Sequence, residues 1–89
     1  KISVKEITDH IGLDRSYFYS LFKGYYNISP QEYLIQYRIN VSCELLMNSS
    51  LNIGDIARSV GYDDPYLFSK IFKKKKGISP SKYRQNIYK

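Results

Sequence analysis

The stretch from Ile53 to Pro80 constrains the fold of this 89-residue chain more than any other, because it has the pattern of two helices separated by one tight turn. Ile53, Ile56 and Val60 recur at helical spacing and predict an amphipathic first helix. Gly61 follows directly, and glycine is favoured where a helix ends in a residue of positive φ. We therefore expect the chain to turn sharply at Gly61.

A second helix is predicted from Pro65 onwards. Asp64 is a preferred N-cap residue, and proline is favoured at the first helical position. The side expected to be buried consists of Leu67, Phe68, Ile71 and Phe72. The opposite side is polar and basic and consists of Tyr66, Ser69, Lys70, Lys73 and Lys74. A short helix crossing a second helix with such an outer face is the helix-turn-helix arrangement, whose second helix recognises DNA.

The same stretch resembles the second helix-turn-helix of the AraC/XylS family of bacterial transcription regulators. The matching residues agree in type, order and spacing, and they are Ile56-Ala57, Val60-Gly61-Tyr62, Phe68-Ser69, Phe72-Lys73, Gly77-Ile78-Ser79-Pro80 and Tyr83-Arg84. The resemblance implies an all-α domain with two helix-turn-helix units that bind double-stranded DNA. It also implies a cytoplasmic protein.

The helix-turn-helix pattern occurs twice in the chain. Residues 4–14 match residues 53–63 at an offset of 49, and residues 18–33 match residues 68–83 at an offset of 50. The second copy therefore contains one extra residue between Gly61 and Phe68. Such a repeat indicates one supersecondary unit used twice.

Repeated N-cap signals predict where the helices begin. Four N-cap residues, each preceded by an apolar residue, are Ser3, Ser29, Asn52 and Ser79. We predict helices near 4–11, 15–24, 30–48, 53–60, 65–75 and 80–87, and no strand pattern is present. Residues 24–27 are predicted to be a turn, with Asn27 at positive φ. The expected fold is all-α, with two helix-turn-helix subdomains (1–28 and 49–89) joined by a long central linker helix (29–48).

The predicted linker helix has apolar residues on two faces. One face consists of Tyr33, Leu34, Tyr37, Val41 and Leu45, and the opposite face of Ile35, Ile39, Ser42, Cys43 and Leu46. Two such faces predict a helix between two small cores. Its length of about 28 Å suits recognition helices in adjacent major grooves, about 34 Å apart. Arg38 lies between the faces, where we expect a structural or phosphate-linked role.

The first unit contains a support helix, whose inner residues are Ile7 and Ile11, and a second helix from Arg15 onwards. The expected buried side of this second helix is Phe18, Leu21 and Phe22. By the resemblance this second helix is a recognition helix, and its candidate DNA-binding residues are Arg15, Ser16, Tyr19, Ser20 and Lys23. With little charge, this face would read bases mainly through Tyr and Ser side chains. An ordinary solvated face is the alternative.

The positive charge is concentrated in the second unit. Residues 1–50 hold five basic and five acidic side chains, whereas residues 51–89 hold nine basic and three acidic ones, for a net charge of +6. This asymmetry indicates a polyanionic partner, with a basic solvated surface as the alternative. The candidate DNA-binding residues of the second unit are Pro65, Tyr66, Ser69, Lys70, Lys73 and Lys74. Lys82 and Arg84 are further candidates for phosphate contacts. The lysines at 73–76 have two interpretations, which are compatible: cations favoured by the dipole at the end of a helix, and contacts with phosphate.

Other functional classes find little support in the sequence. No nucleophile–base pair, carboxylate pair or glycine-rich phosphate loop is present, so no enzymatic activity is expected. A single cysteine and a single histidine suggest no metal, no cofactor and a reducing compartment. No stretch is long and apolar enough to span a membrane, so no membrane partner is expected.

The second interpretation is a helical protein-interaction module. Its exposed tyrosines would suit an interface, with RNA polymerase or another domain of the same protein as partner. RNA binding is a weaker interpretation, because nothing resembles a single-strand module. Family members carry another helix before the residues that correspond to Ile2-Ser3, so we expect this chain to be a fragment. An effector or receiver domain is expected elsewhere in the full-length protein.

Overall fold

The computed structural model describes residues 3, 5, 6, 9, 12 and 14–87 of the chain. Within these residues five complete helices follow one another: α1 (Arg15–Tyr26), α2 (Pro30–Asn48), α3 (Ile53–Ser59), α4 (Pro65–Lys76) and α5 (Pro80–Ile87). The described residues include no strand. The all-α fold class is therefore confirmed, and the predicted helix boundaries agree to within two residues.

The support helix predicted near 4–11 falls mostly outside the described residues. Residues 5, 6 and 9 are described and helical, and the Lys5 ammonium lies 3.1 Å from the Asp9 carboxylate. Ile7 and Ile11, the predicted inner face of this helix, lie outside the described residues, as do Ile2 and the C-terminal Tyr88.

The predicted N-caps are confirmed. Each capping side chain accepts a hydrogen bond from the backbone N–H three residues later, which satisfies a group that the helix leaves without a partner. The donor–acceptor distances are 3.1 Å at Ser3, 3.1 Å at Ser29, 2.8 Å at Asn52 and 3.2 Å at Ser79. The helix starts are thus fixed by local sequence, which explains why they could be predicted.

The N-caps of α1 and α4 refine the alignment of the two repeats. The Asp14 carboxylate accepts the N–H of Tyr17 at 3.1 Å, and the Asp64 carboxylate accepts the N–H of Tyr66 at 2.9 Å. Asp14 is therefore the structural counterpart of Asp64 rather than Asp63. The extra residue of the second copy lies in the turn, before α4 begins.

The prediction of a turn at 24–27 is wrong for residues 24–26, because these residues continue α1. Gly24 is tolerated inside the helix, and the chain leaves the helical conformation only at Asn27. As predicted, Asn27 has positive φ (62°), and its N–H donates to the Lys23 carbonyl at 2.9 Å. Gly77 ends α4 in the same way, with φ 85° and a 2.7 Å hydrogen bond to the Lys73 carbonyl.

The chain divides into two compact units, residues 1–37 and 38–89. The core of the second unit consists of Ile39, Leu46, Ile56, Ala57, Phe68 and Phe72, each at most 1% exposed. Ser42 is also fully buried, and its hydroxyl donates to the Ile39 carbonyl at 2.6 Å. A hydrogen bond with Cys43 raises the pKa of the Tyr83 phenol, and this contact links α5 to α2. The predicted burial of Ile39, Ser42, Cys43 and Leu46 is confirmed, whereas Ile35 on the same face is half-buried.

The other predicted face of the linker helix is only partly buried, since Leu34, Val41 and Leu45 are half-buried and its two tyrosines are exposed. Tyr33 is 47% exposed and Tyr37 is 59% exposed. The Tyr33 ring packs edge-on against Phe22, with the ring centroids 5.4 Å apart, which leaves the rest of the side chain in water. Among the described residues, Phe22, Tyr26 and Tyr33 form a half-exposed aromatic cluster in this part of the first unit.

Two predicted core residues are exposed, Leu21 at 44% and Leu67 at 47%. In α4 the buried stripe is set by Phe68 and Phe72. At 3.6 residues per turn, Leu67 lies about 120° from the middle of that stripe. Leu21 lies about 80° from the middle of the corresponding stripe in α1, a helix that is described throughout and has no fully buried residue.

Candidate nucleic-acid interface

The turn between α3 and α4 sets the position of the basic helix. Gly61 has φ 105°, a conformation that favours glycine. The N–H of Tyr62 donates to the carbonyl of Ala57 at 2.9 Å, and Ala57 is completely buried. The small side chain and the glycine together allow α4 to begin four residues after Gly61, as the helix-turn-helix pattern predicted.

Arg38 packs against this turn from α2. Atoms of its guanidinium group lie 3.1–3.2 Å from the position that a Cβ atom on Gly61 would occupy. The guanidinium carbon also lies 5.2 Å from the centre of the Tyr62 ring, within the range of a cation–π interaction. A structural or a phosphate-linked role was predicted for Arg38, and these contacts support the structural one.

The outer face of α4 presents the predicted side chains on a helix that is anchored from behind. Phe68 and Phe72 are fully buried, whereas Tyr66 is 72% exposed. The Lys70 ammonium lies 5.6 Å from the centre of the Tyr66 ring. Lys70, Lys73 and Lys74 are exposed, and Pro65 and Ser69 are half-buried. Because the inner face is locked in the core, this outer face is a preformed cationic surface.

The C-terminal end of α4 carries four consecutive exposed lysines, residues 73–76. Cations are favoured at this end of a helix because its last carbonyl groups carry partial negative charge. The helix dipole therefore offsets part of the repulsion among these lysines. They add positive charge beside the Tyr66–Lys70 pair, where a polyanion would be attracted.

On α1, four of the five predicted DNA-binding side chains line one open cleft. These are Arg15, Ser16, Tyr19 and Ser20, all of them exposed or half-buried at the surface. Lys23 is not part of the cleft lining, but its ammonium lies 6.0 Å from the centre of the Tyr19 ring. The structure thus brings the predicted residues together on the outer side of α1, with hydroxyl groups and a single guanidinium available for hydrogen bonds.

The tyrosine–lysine pairs occupy different turns of α1 and α4. Tyr66 is the second residue after its N-cap, whereas Tyr19 is the fifth residue after its N-cap. The structural counterpart of Tyr66 is Ser16, and that of Tyr19 is Ser69. The two units therefore share a scaffold but present different chemical groups at equivalent positions, as expected if they recognise different base sequences.

One residue of the first unit's surface was not predicted. Gln31, in the first turn of α2, lines the same cleft as Arg15, Ser16, Tyr19 and Ser20. The helical periodicity of α1 cannot reveal it, because Gln31 lies on another helix. The only sequence signal is its place two residues after the N-cap Ser29.

Arg84, a candidate for a phosphate contact, makes internal hydrogen bonds that the sequence did not predict. Its guanidinium donates to four backbone carbonyl oxygens, at 3.1 Å for Leu46, 2.7 Å for Leu51, 3.2 Å for Ser49 and 3.4 Å for Leu45. The last carbonyl groups of a helix have no partner within it. Arg84 donates to two carbonyl groups in the last turn of α2, those of Leu45 and Leu46, and to two that follow the helix. It fixes α5 to that end of α2.

The described part of the chain contains no group of three or more His, Cys, Asp or Glu side chains that could hold a metal ion. Among the helices of the same residues, none is long and apolar enough to cross a membrane. Cys43 is a free, buried thiol in the core of the second unit, where packing was predicted for it.

Comparisons with known proteins agree with this geometry. A family model described as a helix-turn-helix domain matches residues 7–86. The Msm operon regulatory protein of Streptococcus mutans is 43% identical over 86 residues, which are 97% of this chain and 31% of that protein. The C-terminal domain of AraT, a response regulator from Geobacillus stearothermophilus, has a TM-score of 0.93 at 31% identity, covering 97% of this chain and 71% of that one.

A third comparison involves a protein bound to DNA. The DNA-binding domain of AdpA, solved in complex with a target DNA, has a TM-score of 0.90 at 23% identity and covers 97% of this chain and 78% of that one. At this identity the likeness shows the fold alone. The chain spans about a third of the length of the curated relatives it matches, 31% in each of two cases.

The sharp turn at Gly61, the buried back of α4 and its basic outer face define a helix-turn-helix DNA-binding domain. With the family match over residues 7–86, the chain belongs to the AraC/XylS family of helix-turn-helix transcription regulators. This confirms the resemblance found in its motifs.

Proposed function

We propose that this domain binds double-stranded DNA sequence-specifically with both units, and that α1 and α4 enter adjacent major grooves. The observation that carries the proposal is the outer face of α4, where exposed Tyr66 and Lys70 stand on a helix anchored by the buried rings of Phe68 and Phe72. A helix held in this way keeps its side chains in register with base edges.

In the second unit, Tyr66, Ser69 and Lys70 contact base edges. Lysine donates to the O6 and N7 acceptors of guanine, and hydroxyl groups act as donors or acceptors at several edges. Pro65 begins the helix at the DNA surface. Lys73 and Lys74 lie further along α4 and contact phosphates, which supplies affinity without sequence preference.

In the first unit, Arg15, Ser16, Tyr19 and Ser20 contact base edges from their shared cleft, and Lys23 contacts phosphate. Arginine supplies the strongest single contact here, since its planar group donates two parallel hydrogen bonds to guanine. The remaining contacts come from neutral hydroxyl groups. We therefore expect this unit to add more to sequence choice than to overall attraction.

The adjacent-groove arrangement rests on the length of the connecting helix. α2 has 19 residues, or about 28 Å at 1.5 Å per residue. Successive major grooves on one side of B-DNA are about 34 Å apart. Residues 29–48 thus act as a linker between residues 1–28 and 49–89, and the recognised site is asymmetric because the two units present different side chains.

The full-length protein is proposed to be a bacterial transcription regulator in the cytoplasm. The domain accounts for about a third of relatives such as the Msm operon regulatory protein. The remainder would carry an effector or receiver domain, and the regulator would contact RNA polymerase. The role of the domain itself is binding rather than catalysis.

Exposed tyrosines in the first unit favour a second candidate function, a protein-interaction module. Tyr25 is 85% exposed, and Tyr26 and Tyr37 are each 59% exposed. Tyrosine is enriched at protein–protein interfaces. An interface of this kind would depend weakly on salt, whereas DNA binding weakens steeply as salt rises.

The experiment is selection of the 89-residue chain on random duplexes, followed by fluorescence anisotropy at low and moderate salt. Two enriched half-sites about one helical turn apart are expected. One enriched half-site would leave recognition to a single unit and contradict the adjacent-groove arrangement. Absence of binding even at low salt would overturn the proposal and favour the interaction module.

A further inference from the structure

Gln31 is positioned for a role that the periodicity of the recognition helix does not reveal. Its side chain lines the cleft formed by Arg15, Ser16, Tyr19 and Ser20, and it is exposed. Ser16 and Ser20 belong to the first two turns of α1, the part of a recognition helix whose side chains contact base edges. A side chain that lines this cleft therefore faces the same part of a bound duplex.

The position of Gln31 relative to α1 is well defined. Ser29 caps α2 by accepting the N–H of Glu32 at 3.1 Å. Two residues after Gln31, the Tyr33 ring packs on Phe22, with the centroids 5.4 Å apart, and on Tyr26, with the centroids 5.9 Å apart. The start of α2 is thus held at both sides of Gln31 and against α1.

The amide of Gln31 adds a chemical group that the other four lining residues lack. Arginine donates only, and a hydroxyl rotates to suit either partner. A glutamine amide presents a donor and an acceptor in one plane, which matches the N7 acceptor and N6 donor of adenine. A neutral group of this kind discriminates between bases without adding general attraction.

We infer that Gln31 is a specificity-determining residue of the first unit, whose amide selects adenine at one position of that unit's half-site. The inference rests on the proposed function and deepens it, because it assigns base choice to a side chain outside the recognition helix. It is specific to the first unit, since the corresponding residue after the N-cap of α5 is Ser81, a shorter side chain without an amide.

The test compares Gln31→Ala with Gln36→Ala, a matched control that removes an exposed glutamine elsewhere on the same helix. Each variant is selected on random duplexes, and its affinity is then measured on the preferred site and on the three substitutions at each position. Gln31→Ala should lose roughly 5- to 150-fold of discrimination at one position of the first half-site. The second half-site and all results for Gln36→Ala should match the unmodified chain.

Three outcomes would overturn the inference. The first is an equal loss of affinity on every sequence, which would indicate a contact with the DNA backbone. The second is identical behaviour of the two variants. The third is an altered base preference in the second half-site. Circular dichroism checks folding, and Gln31→Met, which keeps the length of the side chain but removes the amide, replaces the alanine variant if that one unfolds. Failure of the unmodified chain to enrich any sequence would instead overturn the proposed function itself.

Discussion

The guanidinium carbon of Arg38 lies 5.2 Å from the centre of the Tyr62 ring, and the same group fills the space beside Gly61. One side chain of the central helix therefore supports the turn that directs α4. The turn depends on a residue without a Cβ atom for two reasons, its positive φ and the closeness of the guanidinium. The two reasons can be separated by substitution.

Gly61→Ala should lower the free energy of unfolding by about 1–3 kcal/mol, because alanine is strained at φ 105° and its methyl group would meet the Arg38 guanidinium. Urea denaturation followed by circular dichroism measures the change. In the Arg38→Ala background the cost should be smaller, since the two sites then no longer conflict. Equal costs in both backgrounds would refute the steric part of the explanation.

Two other glycines are matched controls for this prediction. Gly77 also has positive φ (85°), but no described atom lies within 4 Å of the position that a Cβ atom would occupy there. Gly77→Ala should therefore show the backbone strain alone, about 1–2 kcal/mol. Gly24 is helical and has the same open surroundings among the described residues, so Gly24→Ala should raise stability by about 0.5–1 kcal/mol.

Arg84→Met should destabilise the second unit by about 1–3 kcal/mol, because carbonyl groups in the last turn of α2 and just after it would lose a charged donor. Thermal and urea unfolding measure this loss. At a temperature where the variant is folded, the salt dependence of DNA binding should be unchanged. A flatter salt dependence would show that Arg84 does contact phosphate.

Lys70→Ala should cost about 1–3 kcal/mol of binding on the preferred site and relax the choice of base at one position of the second half-site. The physical reason is the loss of a donor to a base edge. Anisotropy on the preferred site and on its single substitutions gives the measurement. A uniform loss across all duplexes would move Lys70 to the phosphate contacts.

Lys74→Ala should weaken binding to every duplex by a similar factor and flatten the slope of log affinity against log salt by about one. A phosphate contact releases about one condensed cation, and its loss removes that release. Titrations at several salt concentrations give the slope. If the slope stays the same, Lys74 lies outside the DNA-contacting surface.

The sequence predicted the helices well because their signals are local. Ser29, Asn52 and Ser79 mark helix starts through contacts with residues only three positions away, and Asn27 and Gly77 mark helix ends through their own φ. Leu67 shows the limit of local signals. An apolar residue next to a buried stripe is exposed or covered according to the neighbouring elements, which periodicity does not specify.

The candidate site was predictable only where one helix supplies the residues. The outer faces of α1 and α4 follow from helical periodicity, so Arg15, Tyr19, Tyr66 and Lys70 could be named in advance. Gln31 is brought to the first face by the fold, and its only local signal in the sequence is its place two residues after the N-cap Ser29. Arg84 shows a second limit, since its hydrogen bonds to distant backbone carbonyl groups leave no local pattern in the sequence.

The position of the Lys70 ammonium beside the Tyr66 ring has a consequence for the thermodynamics of recognition. A long side chain loses rotamer freedom when it is immobilised in an interface, at a cost of about 0.5–1.5 kcal/mol. A lysine that already rests on an aromatic ring has fewer rotamers to lose. Part of the ordering entropy at the proposed DNA-contacting surface is therefore lost when the domain folds, and less remains to oppose association with DNA.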